Sequence, residues 1–530
     1  MKLIYTFATI LLSIQSFGQL TDTNLPIIKI TTGGQTIPDD PKVTMSMGII
    51  NGTGLTNNIN DPFTDYDGPI GIETRGNSTQ GFDKKTYSLE LRSPAGADSS
   101  VALLGMPKES DWILHAMVID KSLLRIPMSF YLSQRMGHYA SRWEFVELEI
   151  DGNYQGVYIL CERLKRDANR VDIAKLKPTD ISGDQLTGGY ILRLDWLESP
   201  QGFESQYNSV GGIPMFYQWY YPKADNIQPA QATYIKDYMD DMEEALWSSD
   251  GYNLAGHHYS KYIDLTSFAD FLIMNELSRN SDGYKLSSYV HKEKIGAGNK
   301  IKAGPIWDFD QTYGMSTVCG GEETDGWNYT QTHPACEDYE TLPLWWEKLM
   351  ADPVFTDHLK CRWESHRTAF LHKDSINDWI DNQAAYIDEA KDRNFVQWDF
   401  LGEEIWSEPA PIPADYPAEI SYMKGWISDR IDWLDANIPG VCSNDQSSIE
   451  EVENIIEVHP NPSNGIINIA LGETSSDMIY NIYDLNGKQV LSAAINSPFF
   501  QLDLSGLQKG IYLLEIATAS KNYREKIVLN

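Results

Sequence analysis

Alternating apolar and polar positions predict strands in the first third of the chain. The runs LPIIKI (25–30) and KVTMSMGII (42–50) are typical of short strands on either side of the polar turn TTGGQTIPDD. Alternation in KKTYSLEL (84–91) predicts a further strand. The clearest signal is 143–164, in which two alternating runs flank the turn sequence DGN and predict a hairpin.

Helical spacing dominates the later part of the chain. A helix is expected from about Asp120, as its N-cap, to Gly137, and Pro127 either kinks this helix or marks its true first turn. Other segments with helical periodicity are 231–247, 264–278, most of 341–400, and 421–437. Strands followed by helices predict an α+β fold for this large unit.

The composition changes after Cys442. Residues 441–455 are polar and acidic and predict a linker. Residues 456–530 contain short apolar runs divided by Asn-Gly and Lys-Gly turns, which predict a small C-terminal β-sandwich.

The first residues have the pattern of a secretory signal peptide. Lys2 precedes an apolar run, and the small residues Ser16 and Gly18 suit cleavage before Gln19, so 1–18 is expected to be removed. The alternative is a membrane anchor, but the run is shorter than the roughly 20 residues that a span needs. We therefore expect the mature chain to be exported, either soluble or tethered by other means.

The charge balance argues against nucleic acid as a partner. The chain has 42 basic and 75 acidic residues, for a net charge of −33. Binding to a phosphate backbone requires Lys and Arg, so the acidic excess favours a solvated surface, with a basic protein substrate as the alternative.

The cysteine pattern predicts one disulfide. There are five cysteines, and Cys319 and Cys336 bracket a polar, glycine-rich loop, so we expect this pair to be bridged. Cys161 lies in an apolar run and is expected to be buried. No CxxC spacing or paired histidines suggest zinc.

The candidate chemistry lies in IKAGPIWDFDQTYG, residues 301–314. An apolar run precedes Asp308 and Asp310, which at strand spacing would leave one face together. Asp282 comes just before a second strand-like run. Carboxylates grouped in this way suit Mg²⁺, which takes oxygen ligands from one or two acids and from substrate phosphates. Strand-end acids in solvent, or turn caps, are the alternative.

The tail resembles the C-terminal sorting domain of the Bacteroidetes type IX secretion system. The matching segments, in order, are HPNPSNG (459–465), YDLNGKQV (483–490), DLSGLQKGIYLLEI (503–516) and the terminal KIVLN. The resemblance implies recognition by the type IX machinery and export through the periplasm and across the outer membrane. The protein would then be attached to the outer-membrane surface or released outside the cell.

The central unit, 45–440, is similar to the CotH family, named for a bacterial spore-coat protein; 19–44 would be an N-terminal strand segment. The matching segments are RGNST (75–79), KKTYSLEL (84–91), DWILHAMVIDKSLLR (111–125), 145–173, GGYILRLD (188–195) and GPIWDFDQTYG (304–314). The resemblance implies an atypical protein-kinase-like fold and phosphoryl transfer from Mg-ATP to Ser or Thr of an exported protein.

The resemblance also implies roles for individual residues. Asp308 would be the main metal ligand, with Asp310 second or in the outer shell, and Asp282 would orient the attacking hydroxyl or act as the base. The groups expected to bind the cofactor are Arg75 and Lys85 on the phosphates, Glu162 as an ion-pair partner of Lys85, and Lys165 with Arg166 in the adjacent turn.

Two observations leave an alternative function open. Family members of the spore type have an asparagine about five residues after the equivalent of Asp282, where this chain has Ser287, a poorer metal ligand. The 15 Trp and 29 Tyr would also suit a surface protein that binds glycan or matrix without catalysis, although most of them, such as Trp426, fall in apolar core patterns.

Overall fold

The computed structural model describes residues 20–54, 56–196, 201–330, 336, 342–442, 456–459, 461–471, 478–485, 487–495, 497, 499–518 and 522–530. The predicted signal peptide and nearly all of the predicted linker lie outside these residues.

The strands, in chain order, are β1 Asp22–Thr23, β2 Ile27–Thr31, β3 Val43–Ile50, β4 Asn57–Asn58, β5 Tyr66–Arg75, β6 Thr86–Leu91, β7 Asp111–His115, β8 Trp143–Ile150, β9 Asn153–Glu162, β10 Tyr190–Leu194, β11 Gly202–Asn208, β12 Pro214–Tyr221, β13 Ser288–Lys292, β14 Ile301–Ala303, β15 Ile456–His459, β16 Ile466–Leu471, β17 Met478–Asp484, β18 Gln489–Ile495, β19 Phe499–Asp503, β20 Gly510–Ala517 and β21 Asn522–Leu529.

The α-helices are α1 Arg125–Arg135, α2 Gly183–Leu186, α3 Pro229–Trp247, α4 Leu265–Ser278, α5 Trp345–Ala351, α6 Pro353–Arg367, α7 Lys373–Tyr386, α8 Asp388–Gln397 and α9 Tyr416–Asn437. The mixture of strands and helices confirms the α+β prediction.

The first of two structural units is built around a closed β-barrel. This unit takes in the described residues up to Lys121, together with Arg142–Arg163 and Asp381–Glu403. The barrel order is β2-β3-β5-β6-β7-β9-β8, and β8 closes it by parallel pairing with β2. Because the ring is closed, none of its strands presents an unpaired edge.

The hairpin of β8 and β9 confirms the prediction for 143–164. Asp151 and Gly152 form its turn with φ of 50° and 81°, the left-handed conformation that suits a tight hairpin. The register shifts by one residue between Leu148 and Glu149. A side chain at Gly156 would lie 2.5 Å from Asn394 of α8, so only glycine fits at this shift.

The second unit contains Ser122–Ser141, Leu164–Ile380 and Glu404–Asn530. Its larger sheet has the order β11-β12-β10-β13-β14, with antiparallel pairing throughout. The predicted helix at 120–137 begins only at Arg125, so Asp120 is not its N-cap, and Pro127 lies in its first turn. Trp426 of α9 is buried, as the core pattern predicted.

The C-terminal strands form the predicted sandwich within this second unit. A three-stranded sheet, β15-β16-β19, and a four-stranded sheet, β18-β17-β20-β21, contribute to one core. Ile467, Ile482 and Leu514 are among its fully buried residues.

Two disulfides are present in the described part of the chain. Cys319–Cys336 is the predicted bridge, and Cys361–Cys442 joins α6 to the end of the segment after α9. The second bridge closes a separation of 81 residues, and its partners gave no local sequence signal. Cys161 is buried in β9, as expected.

Candidate functional site

The segment with Asp308 and Asp310 is not a strand. Strand β14 ends at Ala303, and residues 304–310 have no regular structure, so the expectation of strand spacing is wrong. Gly304 has a φ of 96°, and Pro305 has no N–H with which to extend the ladder. Asp308 itself has a φ of 53°, a left-handed conformation that aspartate tolerates better than most residues.

Asp282 lies in the connection between α4 and β13, as the sequence predicted. The Leu286 N–H donates to the Asp282 carbonyl at 3.0 Å, which closes a turn. A Cβ at Gly283 would lie 2.6 Å from Oδ1 of Asn275 in α4, so glycine lets this turn pack against the helix.

The three candidate acids influence one another electrostatically. Burial, together with the negative charges of Asp308 and Asp282, raises the pKa of Asp310 to about 8, although hydrogen bonds such as that from the Gln311 N–H at 3.0 Å lower it. Like charges act in this way only at short range, so the two acidic segments meet in one neighbourhood.

Ser287 contacts one of these acids. Its hydroxyl donates to Oδ2 of Asp308 at 2.7 Å. Among the described residues, no three His, Cys, Asp or Glu side chains form a ready-made metal cage. The donor set instead suits a hard cation that takes one or two carboxylates here and the rest of its oxygens from substrate or water, as Mg²⁺ usually does.

Gln311 links Asp282 to a later loop. Nε2 of Gln311 is 3.5 Å from Oδ2 of Asp282. Oε1 of the same side chain accepts a hydrogen bond from Nε1 of Trp406 at 2.9 Å. The loop is held by Thr317, whose backbone N–H and hydroxyl both donate to the carbonyl of Ser407, the N–H at 2.7 Å. Trp406 was not predicted, because it is far from the acids in sequence.

Two buried arginines fix the segment that follows the acids. Arg279 donates to the carbonyls of Gly320 and Gly326, and Arg430 donates to that of Gly326 at 2.7 Å. The Cys319–Cys336 disulfide lies in the same region, and the buried Lys285 ammonium is 3.2 Å from Sγ of Cys319. Residues 319–326 are therefore held in place by side chains of the second unit and by the disulfide.

The two neighbouring lysines of the first unit differ in environment. Lys85 Nζ donates to the Gln80 carbonyl at 2.6 Å, and the residue lines an open cavity of about 360 Å³. Lys84 is buried, with Nζ 2.7 Å from the Val157 carbonyl and 2.9 Å from Oδ1 of Asn394. Burial lowers the pKa of Lys84 to about 7. Sequence reasoning missed Lys84, since alternation alone does not say which lysine points inward.

Glu162 is fully buried, and its cationic partner is Arg142, not Lys85 as the resemblance implied. Arg142 donates to its Oε1 at 2.6 Å, and the Arg142 backbone N–H donates to Oε2. Arg75 ends β5. Burial, together with the charges of Arg75 and Lys84, lowers the pKa of His115 to about 3, which keeps that histidine neutral.

Lys165 and Arg166 follow β9 at the start of a stretch assigned to the second unit. The Lys165 carbonyl accepts from Val171, and the Arg166 side chain donates to the carbonyl of Ile173 at 3.0 Å. Arg166 therefore holds the turn together.

Two family models match the chain, one in its central part and one at its C-terminus. The model of a secretion system C-terminal sorting domain matches residues 457–530. This type IX sorting domain directs the protein to the cell surface or the extracellular space. Among the described residues, no helix is both long and apolar enough to cross a bilayer.

Among the solved structures that match is a DUF3244 family protein from Bacteroides vulgatus with an immunoglobulin-like β-sandwich, 19% identical over 14% of this chain and 83% of that one. The TM-score between the two is 0.13. No curated protein matches the chain.

The family model described as CotH kinase protein matches residues 72–434, more than half of the chain. The match includes every acid and every basic residue considered above. This protein belongs to the CotH family.

Proposed function

We propose that the CotH domain transfers the γ-phosphoryl group of ATP to a Ser or Thr hydroxyl of an exported protein. The observation that supports this most directly is the mutual influence of Asp282, Asp308 and Asp310, seen in the raised pKa of Asp310. Such a group of acids is costly without a cation, and phosphoryl transfer needs a metal and a carboxylate near the attacking oxygen.

Asp308 is the proposed main ligand of Mg²⁺, with Asp310 second or in the outer shell. Mg²⁺ would neutralise charge on the phosphate oxygens when the nucleotide is bound. The hydrogen bond from Ser287 fixes the orientation of the Asp308 carboxylate, which would bind the metal through its oxygen atoms.

Asp282 is the proposed acceptor of the proton from the attacking hydroxyl. The Ser or Thr hydroxyl oxygen of the substrate protein forms a bond to the γ-phosphorus. The bond from that phosphorus to the oxygen bridging the β- and γ-phosphates breaks, and ADP leaves with the electron pair. Gln311, next to the Asp282 carboxylate, would hold it in one orientation.

Cationic groups of the chain would neutralise the phosphates. Arg75, Lys85 and Lys165 are the groups proposed to contact the phosphates. Lys85 is accessible to a ligand, because it lines an open cavity. Glu162 would keep the local charge balanced through Arg142. The buried Lys84 is a structural group of the barrel in this proposal.

A second candidate is a surface protein that binds a partner, such as glycan or matrix, and performs no transfer. It is favoured by Ser287, which stands where spore-type relatives have asparagine and contacts Asp308. A domain that has lost one metal position would keep the fold and lose turnover.

Calorimetric titration of Mg-ATP into the full mature chain tests the proposal. Asp308→Asn should abolish binding, whereas Asp374→Asn, at an exposed acid of α7, should not change it. Transfer of label from γ-phosphate-labelled ATP to exported proteins then separates a kinase from a binding protein. Equal nucleotide affinity in wild type and Asp308→Asn, or no affinity in a folded wild type, would contradict the proposal.

A further inference from the structure

A second cavity lies in the second unit, and none of the three candidate acids lines it. Its volume is about 200 Å³. The walls come from the end of α1, from α4, from β13 and β14, and from the turn at 170–172. The phosphoryl-transfer proposal gives this cavity no role.

The floor of the cavity is apolar. Val171, Phe271, Met274, Pro305 and Ile306 are buried residues that line it. An apolar cavity of about 150 Å³ in a protein is large enough to bind benzene, so this one has room for a single substituted ring. Ligand sites typically combine such a floor with a few polar groups that fix orientation.

His291 supplies the first of these polar groups. Its Nδ1 lies 3.0 Å from the Gly304 carbonyl oxygen, and because a carbonyl only accepts, Nδ1 carries the hydrogen. Burial lowers the pKa of His291 to about 4, so the ring is neutral at physiological pH. Nε2 is then a lone-pair acceptor, and in the described part of the chain no hydrogen bond to it is formed.

His138 also lines the cavity, and a buried carboxylate holds its ring. Its Nε2 lies 2.7 Å from the buried Asp270 carboxylate, which also accepts from Arg362 at 2.6 Å and His366 at 3.0 Å. Burial alone would raise the pKa of Asp270, but these hydrogen bonds outweigh it and hold the pKa well below its usual range. The carboxylate is therefore ionised and keeps the His138 ring in place.

The charges around the cavity do not favour a strongly charged ligand. Exposed Lys302 and Asp172 are lining residues of opposite sign. Arg170 also lines the cavity and is buried. Two imidazoles and the Asp270 carboxylate lie at the cavity, but within the described ranges no three His, Cys, Asp or Glu side chains form a group that could hold a metal ion.

We propose that this cavity binds a small apolar ring that carries a hydroxyl group, a ligand of the phenol class, whose O–H donates to Nε2 of His291. The ring of the ligand packs against Phe271 and Met274. The His291 imidazole, fixed through Nδ1, favours a ligand that can donate a hydrogen bond to Nε2. The proposal is independent of phosphoryl transfer, because the site shares none of the proposed catalytic residues.

Three probes of equal ring size test the assignment on the full mature protein: p-cresol, toluene and 4-methylbenzoate. We expect p-cresol to bind about three- to tenfold more tightly than toluene, since one hydrogen bond contributes about 1 kcal/mol net. In wild-type protein labelled with ¹⁵N-histidine, p-cresol should shift the Nε2 resonance of His291, and toluene should not.

The variant His291→Asn keeps a side-chain N–H for the Gly304 carbonyl and removes the Nε2 acceptor. It should bring the p-cresol to toluene ratio to about one, whereas His372→Asn, at an exposed histidine, should leave the ratio unchanged. Equal binding of p-cresol and toluene to wild type, no binding of either, or tightest binding of 4-methylbenzoate would overturn the proposal. The last result would assign the cavity to anions at Arg170. If His291→Asn does not fold, the wild-type Nε2 shift decides.

Discussion

Ser287 and Asp308 are joined by a hydrogen bond of 2.7 Å from the serine hydroxyl to the carboxylate Oδ2. Both residues have left-handed backbone conformations, with φ of 43° and 53°. Ser287 is therefore part of the candidate site through its contact with Asp308. It orients the acid on which the proposed metal site depends.

Replacement of Ser287 by alanine should weaken Mg-ATP binding about fivefold. The change removes a hydrogen bond to a charged acceptor, of which the net contribution is about 1 kcal/mol or somewhat more. Calorimetric titration measures the affinity directly. Ser287→Asn should retain most of it, because asparagine tolerates a positive φ and offers an amide donor.

Ser375→Ala, at an exposed position of α7, is the matched control and should bind as wild type does. Unchanged affinity in Ser287→Ala would show that Asp308 is oriented by other contacts.

Arg430 should be essential to stability. Its guanidinium is fully buried, donates to the Glu276 carbonyl at 2.7 Å and pairs with the Glu276 carboxylate at 3.0 Å. Arg430→Met leaves a buried carboxylate without this partner, which typically costs about 3–5 kcal/mol. Denaturant unfolding measures the loss, and hydrogen exchange should show faster opening of 320–328.

Arg524→Met removes a different Arg–Glu pair, with Glu515, in which the arginine side chain is 66% exposed. Such surface pairs contribute about 0–1 kcal/mol, so this control should unfold nearly as wild type does. Similar losses in the two variants would refute the importance assigned to burial.

Stability should fall as pH rises from about 4.5 to 7. Burial raises the pKa of Glu243 from 4.5 to about 7, although Ser205, Tyr217 and Trp345 donate hydrogen bonds to it. The folded state therefore binds the proton more tightly than the unfolded state does. Protonation of Glu243 therefore contributes up to about 3 kcal/mol to the free energy of unfolding. This contribution is complete below about pH 4.5 and is lost as pH rises through about 7.

Glu243→Gln mimics the protonated group and should flatten part of this dependence, measured as thermal unfolding at several pH values. Asp241, whose pKa burial raises to about 7, should leave a residual slope. Glu404→Gln, at an exposed acid, should retain the full slope. A slope in Glu243→Gln equal to that of wild type would contradict the assignment.

Local patterns predicted the hairpin of β8 and β9 well, because both its alternation and its turn are encoded within 22 residues. The Arg142–Glu162 pair within it was harder to predict. Without the one-residue shift at Gly156, Arg142 would face Cys161 instead of Glu162. The shift depends on Asn394, which is far away in sequence.

The sequence was enough to identify the candidate acids, but it did not predict the backbone conformation that places them. Gly304 and Pro305 end the strand that the apolar run predicted, so Asp308 and Asp310 lie on an irregular segment. Contacts such as that between Gln311 and Trp406 join residues 95 positions apart. No periodicity reports a contact of that kind.

Trp406 should act as a positioning residue for the proposed reaction. Its indole N–H donates to Oε1 of Gln311 at 2.9 Å, and Gln311 lies beside the Asp282 carboxylate. Trp406→Phe keeps an aromatic ring in the loop and removes the donor. Because Gln311 then loses one anchor near the proposed base, we expect kcat to fall about three- to tenfold with little change in the KM for ATP.

Trp398→Phe is the matched control, since that indole also donates a hydrogen bond, to the Gln155 carbonyl at 2.8 Å, in the first unit. It should leave kcat nearly unchanged. The side-chain amide resonances of Gln311 provide a readout without turnover, because they should shift in Trp406→Phe and stay fixed in the control. An equal effect of the two variants on kcat would show a general loss of packing, whereas a rise in KM alone would place Trp406 in ground-state binding of the nucleotide.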